Sequence, residues 1–197
     1  MIMEKNINYA IALNVRKVCY NEKIDESCIK FYGNPCLPES LVDKYSMDTV
    51  LFAQIRCEDL KELDIENRLP HTGYLYFFLD AKNYPRENLS IIVDYFNEEP
   101  KYAIDDYNES SPIVEGLNVP FIIEFLKVNA DYDGTKLLGR PNGYVDENDD
   151  MPGLLLQYDP LDFDFPFLSS IDGYAYVFYG KNEKNKFSKL TFIIERS

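Results

Sequence analysis

The chain contains no tryptophan and one histidine, His71, among its 197 residues. The second shortage is the more restrictive, because hydrolytic triads and most proton shuttles use an imidazole as base. Any such site would have to be built on His71, and no G-x-S-x-G sequence accompanies it. The four cysteines, Cys19, Cys28, Cys36 and Cys57, include no C-x-x-C pair. A zinc site would need cysteines from unrelated segments to converge, so free buried thiols in a reducing compartment are expected. No apolar run approaches the roughly 20 residues of a membrane helix: "YLYFFL" stops at Asp80, and the N-terminal patch Tyr9 to Leu13 has no small-residue cleavage site after it. Basic residues are also scarce, 20 against 34 acidic, a net charge of −14. That field repels phosphate backbones and anionic lipid headgroups, so neither nucleic acid nor membrane is an expected partner. The expectation is a cytoplasmic protein without a cofactor.

One pentapeptide points elsewhere. "LPHTG", Leu69 to Gly73, matches the sequence that sortases cut when they anchor proteins to a cell wall. A sorting signal needs an apolar span and a basic tail directly after it, and neither follows Gly73 here. The match is read as coincidence, and His71 as a turn histidine.

Aromatic residues are what the chain does have: 16 Tyr and 13 Phe, a bias toward sheet. They fall in a repeat. "LFAQIRCEDL" aligns with "LLLQYDPLDF", so that Leu51 meets Leu154, Gln54 meets Gln157, Asp59 meets Asp162 and Leu60 meets Phe163. After a short gap "TGYLYFFL" falls on "DGYAYVFY", matching Gly73, Tyr74, Tyr76 and Phe78 with Gly173, Tyr174, Tyr176 and Phe178. Upstream, Gly33 and Pro35 answer Gly139 and Pro141. Each copy reads Gly-x-Pro, an apolar strand carrying Gln, an acidic residue, then a Gly-led aromatic strand. A period near ~100 residues is too long for a solenoid and indicates duplication of one supersecondary unit. The glycine common to both copies suits a turn with positive φ.

The aromatic strand Tyr74 to Leu79 is apolar on both faces and should be covered on both. Further strands are expected at Tyr9 to Val15, Leu51 to Cys57, Leu89 to Phe96, Val119 to Val128, Leu154 to Tyr158 and Leu190 to Glu195. Short helices are expected at "PESLVDKY" from Pro38 and "CEDLKELDIENR" from Cys57. The charged stretch Glu98 to Pro112 reads as the connection between halves. The expected fold is α+β, mainly antiparallel sheets with few short helices. It forms one domain over 1–197 with repeated halves at about 29–97 and 113–197.

The motifs "KFYGNPCLP", "LFAQIRCEDL", "LPHTGYLYFFLD", "TKLLGRPNGY", "LLLQYDPLDF" and "DGYAYVFYG", in that order, resemble the YwqG-like family, bacterial proteins classed as a domain of unknown function. The resemblance covers the chain from about Ile29. It departs from the family in lacking tryptophan and in having Thr135 and Lys136 where a histidine is common. It implies an α+β fold of antiparallel sheets and brings no established activity. Some relatives are thought to sit beside secreted toxins as candidate immunity proteins.

Two acidic stretches imitate calcium loops. "NADYDGTKLLGR" offers Asn129, Asp131, Asp133 and Gly134 but closes on Arg140, where a bidentate glutamate is required. The second offers Asp146, Asn148 and Asp150 but has Met151 for the glycine and Gln157 at the close. Neither is expected to bind calcium. Asp159, Asp162 and Asp164 lie among aromatics, as glycoside chemistry would require, and are read as an acidic surface loop. Gln54 and Gln157 interrupt apolar strands at matched positions, and a half-buried amide must find partners for its oxygen and both its N–H groups. Either each binds the backbone of its own Gly-x-Pro loop, or the two line a ligand cleft between halves; the first is preferred. No catalytic, cofactor or metal residue is assigned. Gln54, Gln157, Asp59 and Asp162 are the candidate ligand or partner positions. The leading expectation is binding of a basic protein such as a toxin domain. The alternative is an enzyme or small-molecule binder using the cleft between halves.

Overall fold

The structure, a computed structural model, describes residues 8–19, 21–25, 27–44, 48–80, 82, 89–104, 117–143, 153–162, 173–180, 186–187 and 190–195. In chain order the strands are β1 (Tyr9–Lys17), β2 (Lys30–Phe31), β3 (Cys36–Leu37), β4 (Thr49–Arg56), β5 (Tyr74–Asp80), β6 (Ser90–Phe96), β7 (Tyr102–Ala103), β8 (Phe121–Asn129), β9 (Lys136–Leu137), β10 (Leu154–Tyr158), β11 (Ala175–Phe178) and β12 (Thr191–Ile194).

The α+β expectation is corrected by this inventory. Among the described residues the fold is antiparallel sheet, and the segments read as helices form only 3-10 turns, Glu39–Leu41 and Cys57–Leu60. The physical reason is the small apolar face each offers. Leu41 is the one buried residue in the first turn, and Cys57 and Leu60 the two in the second. Helix nucleation is unfavourable, and so little burial does not carry the chain past its first turn.

The chain divides into two compact units: Val15–Glu124, the central unit, and Met1–Asn14 with Phe125–Ser197, the terminal unit. In the central unit the strand order is β8-β2-β4-β5-β6, with β3 and β7 paired apart. In the terminal unit it is β12-β11-β10-β9-β1-β8. The two repeats are therefore built alike. β4 against β5 pairs Leu51 with Phe78, shifts register by a bulge, then pairs Ala53 with Phe77 and Gln54 with Tyr76. β10 against β11 pairs Leu154 with Phe178, shifts at the same place, then pairs Leu156 with Val177 and Gln157 with Tyr176.

The first strand of each repeat comes from an unexpected part of the chain. β9 pairs with β1, Ala12 opposite Lys136, although more than 100 residues separate them. β2 pairs with β8, Ile122 opposite Lys30. β8, which precedes the second copy in sequence, thus serves the first copy, and β1 serves the second. Comparison of consecutive segments cannot reveal this exchange.

Every residue of β5 from Tyr74 to Leu79 is buried, as the two-sided apolar pattern requires. Gly73 and Gly173 enter the aromatic strands at φ +75° and +143°. Their constraint is also steric: a Cβ would lie 2.1 Å from the Phe96 carbonyl oxygen at Gly73 and 2.7 Å from that of Glu195 at Gly173. The proposed connection Glu98 to Pro112 lies outside the described residues from 105 onward.

Candidate functional site

The unit repeated in both copies is a glutamine-anchored loop. In the central unit the Cys36 N–H donates to Gln54 Oε1 at 2.9 Å, and Gln54 Nε2 donates to the Cys28 carbonyl at 3.0 Å. In the terminal unit the Asn142 N–H donates to Gln157 Oε1 at 2.8 Å, and Gln157 Nε2 donates to the Gly134 carbonyl at 3.0 Å. Cys36 and Asn142 each directly follow the proline of a Gly-x-Pro. Both glutamines are fully buried, and their amides hold backbone groups at the two ends of their own loop.

The bulges close the loops from the other side. Tyr32 and Leu138 both adopt left-handed backbone, φ 55° and 61°, which costs a non-glycine residue about 1–2 kcal/mol. Each is held there by a bond from its N–H to the bulged residue's carbonyl, Phe52 at 3.0 Å and Leu155 at 3.2 Å. A tyrosine completes each loop: Tyr76 donates its hydroxyl to the Cys36 carbonyl at 2.8 Å, and Tyr176 donates to the Asn142 carbonyl.

A lysine in each copy escaped the sequence reasoning. Lys30 lies opposite Gln54 and Lys136 opposite Gln157, and both are 0% exposed. The signal was available as K-x-x-G-x-P in both "KFYGNP" and "KLLGRP". Lys136 Nζ donates to the carbonyls of Ala130 at 3.3 Å and Tyr132 at 2.5 Å and to Asn142 Oδ1 at 2.5 Å. Burial lowers its pKa to about 8, with Asp131 and Asp133 opposing the shift.

The copies differ in what surrounds the loop. Around the first, Leu37, Leu41, Leu51, Tyr74, Tyr76 and Phe78 form an apolar cluster, with Phe96 packed against it. Around the second the buried cluster is Leu154, Tyr176 and Phe178, and carboxylates stand close by. Asp133 accepts from Tyr174 Oη and Asn142 Nδ2. Asp162 accepts the Thr135 N–H, and Glu195 Oε2 lies 2.8 Å from Tyr176 Oη and shares that hydroxyl's one proton with the Asn142 carbonyl. Their common field is visible in their neighbours. Burial raises the Asp159 pKa, and Asp162 and Asp133 add to the rise. The bond to Asp133 raises that of Tyr174; burial, then Glu195, raises that of Tyr176.

The four candidate positions thus take different places. Gln54 and Gln157 are equivalent and internal. Asp59 forms a surface fork with Arg56, 2.8 and 2.9 Å, whereas its sequence counterpart Asp162 caps the loop of the second copy. His71 Nε2 lies 3.0 Å from Asp64 Oδ2, and the same oxygen accepts the Leu69 N–H, so "LPHTG" is a turn tied to a buried aspartate. None of the four cysteines forms a disulfide; Cys36 and Cys57 are buried, Cys28 is half-buried and Cys19 is exposed. Burial pushes the Cys57 thiol up to about 12, which leaves it unreactive. In the first calcium-like loop Arg140 Nη1 lies 2.7 Å from both oxygens of Asp131. Among the described residues no three His, Cys, Asp or Glu side chains gather as a metal site would require. The Asp146 to Asp150 stretch and Asp164 lie outside the described residues.

No protein-family model matches the chain, and no curated protein is significantly similar to it. Among the described residues no helix is long and apolar enough to cross a membrane.

Proposed function

We propose that the protein is a cytoplasmic binding module of the toxin-immunity type, whose partner is a basic protein. The observation that carries this reading is the negative rim of the second loop. Asp133, Asp159 and Asp162 surround it, and Leu161, 75% exposed, stands between two of them. An apolar anchor within a charged rim is the arrangement in which carboxylates steer a partner and the anchor retains it. The glutamines and Lys136 spend their polar atoms on the fold itself, which leaves the rim and not the buried loop to meet a partner. The net charge of −14 extends the same field. A domain that attacks nucleic acid must itself be basic to bind phosphate, so an acidic blocker suits it physically. The motif resemblance to YwqG-like proteins points the same way.

The test is affinity capture with the wild-type chain beside Asp159→Lys and Leu161→Arg variants, followed by binding kinetics on the recovered protein. The expected partner is basic and stoichiometric, associates about tenfold more slowly at high salt, and is lost from both variants. Recovery of no partner, or of one that both variants retain, overturns the reading.

A further inference from the structure

In a chain of net charge −14, a concave surface edged by cations is a place where repulsion of anions is locally reversed. The terminal unit contains one such cleft, of about 800 Å³, with Lys127 of β8 and Arg140 on its walls beside Tyr9, Asn129, Asp131 and Tyr132. That volume lies within the range of roughly 300–1,000 Å³ usual for small-ligand sites.

Neither cation is used up by the fold. Lys127 Nζ lies 5.6 Å from the centroid of the Tyr9 ring, and among the described residues no ion pair engages it. Arg140 uses Nη1 on Asp131 and keeps its Nε and Nη2 donors, with its side chain 52% exposed. The wall between them has its acceptors taken from behind. The Ala130 carbonyl receives the Arg140 backbone N–H at 2.9 Å and the buried Lys136 ammonium, which also binds the Tyr132 carbonyl. An interior cation on these carbonyls offsets part of their negative charge toward the cleft.

The first copy supplies a control. The middle residue of its Gly-x-Pro is Asn34, where the second copy has Arg140. Counting two residues back from the ladder positions Phe121 and Ile11, Val119 stands where the second copy has Tyr9. The cation and the ring therefore belong to one copy, so the common scaffold does not require them.

We propose that this cleft binds a small organic anion, its carboxylate or phosphate held by Lys127, seated over the buried Tyr9 ring, and by Arg140, with its aromatic body laid against the partly exposed Tyr132 ring. The cation and π-face pairing favours such a ligand over a bare inorganic ion. The site differs from the acidic rim in charge and in ligand, so its failure would leave the partner reading untouched.

The experiment titrates the full isotope-labelled chain with phenyl phosphate and with benzoate, reading backbone amide shifts. Inorganic phosphate and benzyl alcohol test the anion and the ring separately. At least one phenyl anion should saturate and move the amides of Tyr9, Asn129 and Tyr132, and which one does so identifies the headgroup. Lys127→Met and Arg140→Gln should each weaken binding about tenfold, the loss expected for one charge-assisted contact, while Lys44→Gln should not. Among the described residues no ion pair engages Lys127, so Lys127→Met removes no internal ion pair of these residues and its fold is checked by the amide spectrum. The proposal is overturned if neither phenyl anion saturates, if inorganic phosphate or benzyl alcohol binds as tightly, or if both cleft variants bind like wild type.

Discussion

The two copies share a loop held by glutamine, tyrosine and a left-handed residue, yet one is sealed in hydrocarbon and the other ringed by carboxylates. Phe96 packs on the first cluster; at the matching place on the last strand, Glu195 lies against the hydroxyl of Tyr176. The ladders show that these residues correspond, since Phe96 lies opposite Tyr74 and the Glu195 N–H bonds to the Tyr174 carbonyl. The difference separates what the unit needs in order to fold from what one copy has added. Gln, Gly-x-Pro, the buried Lys and the aromatic ladder recur in both, so they serve the fold. Asp133, Asp159, Arg140 and Tyr9 occur once, so they are where function is to be sought.

The strongest way to break this comparison is at the glycines that admit the aromatic strands. In Gly73→Ala the new Cβ meets backbone oxygen at 2.1 Å with no flexible side chain to yield. A loss of about 4 kcal/mol is expected, at the upper end for single substitutions. Gly173→Ala meets its oxygen at 2.7 Å, and about 2 kcal/mol is expected. Urea denaturation of the two variants checks the order, and equal losses would show that the strand entries are not set by this contact.

Next come the glutamines. Gln54→Leu strands the buried Cys36 N–H and takes the donor from the part-buried Cys28 carbonyl, at an expected cost of about 3 kcal/mol. Gln157→Leu strands the equivalent pair, but the half-buried Asn142 N–H can reach water, and about 1.5 kcal/mol is expected. The ratio of the two losses measures how far the first copy is sealed and the second open. A larger loss at Gln157 would reverse the assignment of scaffold and site.

Much of this was legible in the sequence, and the reasons are particular. Gln54 and Gln157 stood out because a polar residue in an apolar strand must be explained, and their predicted bonds to the Gly-x-Pro loops are the bonds observed. The long strands followed from their alternation, and Leu154–Tyr158 falls where expected. The short strands β2, β3, β7 and β9, two residues each, carry too few positions for any period to show. The α component failed because "CEDLKELDIENR" has a helical composition but only Cys57 and Leu60 to bury in its turn. Lys30 and Lys136 were passed over because lysine in a strand is ordinarily a solvated edge residue. Asp59 and Asp162 align in sequence but not in role, since matched letters do not fix what a surface carboxylate finds beside it.

The smallest expected effect is a pH dependence arising from the second loop. The Lys136 pKa is about 8 in the fold against 10.5 for a free side chain. A depressed lysine pKa means that the unfolded chain holds the proton more tightly, so between these values the unfolded state binds more protons and stability rises with pH. Tyr174 and Tyr176 act in the opposite sense. Their folded pKa values are raised above the ordinary 10.0, so their contribution is complete below that pH and is lost as the unfolded tyrosines ionise above it. Cys57 acts like the tyrosines but from its ordinary 9.0, so the urea midpoint should climb from about pH 8, peak near pH 9 and then fall. The climb is expected to stay below about 1 kcal/mol, because the three acceptors of the ammonium offset much of the burial penalty. Lys136→Met should abolish the climb but keep the fall, since Tyr76 in the first copy is shifted upward as well. A midpoint that declines steadily from pH 7 would mean that the three acceptors of Lys136 solvate the ammonium as well as water does. The second loop would then be as fully satisfied as the first, and the contrast between the copies would lie in their surfaces alone.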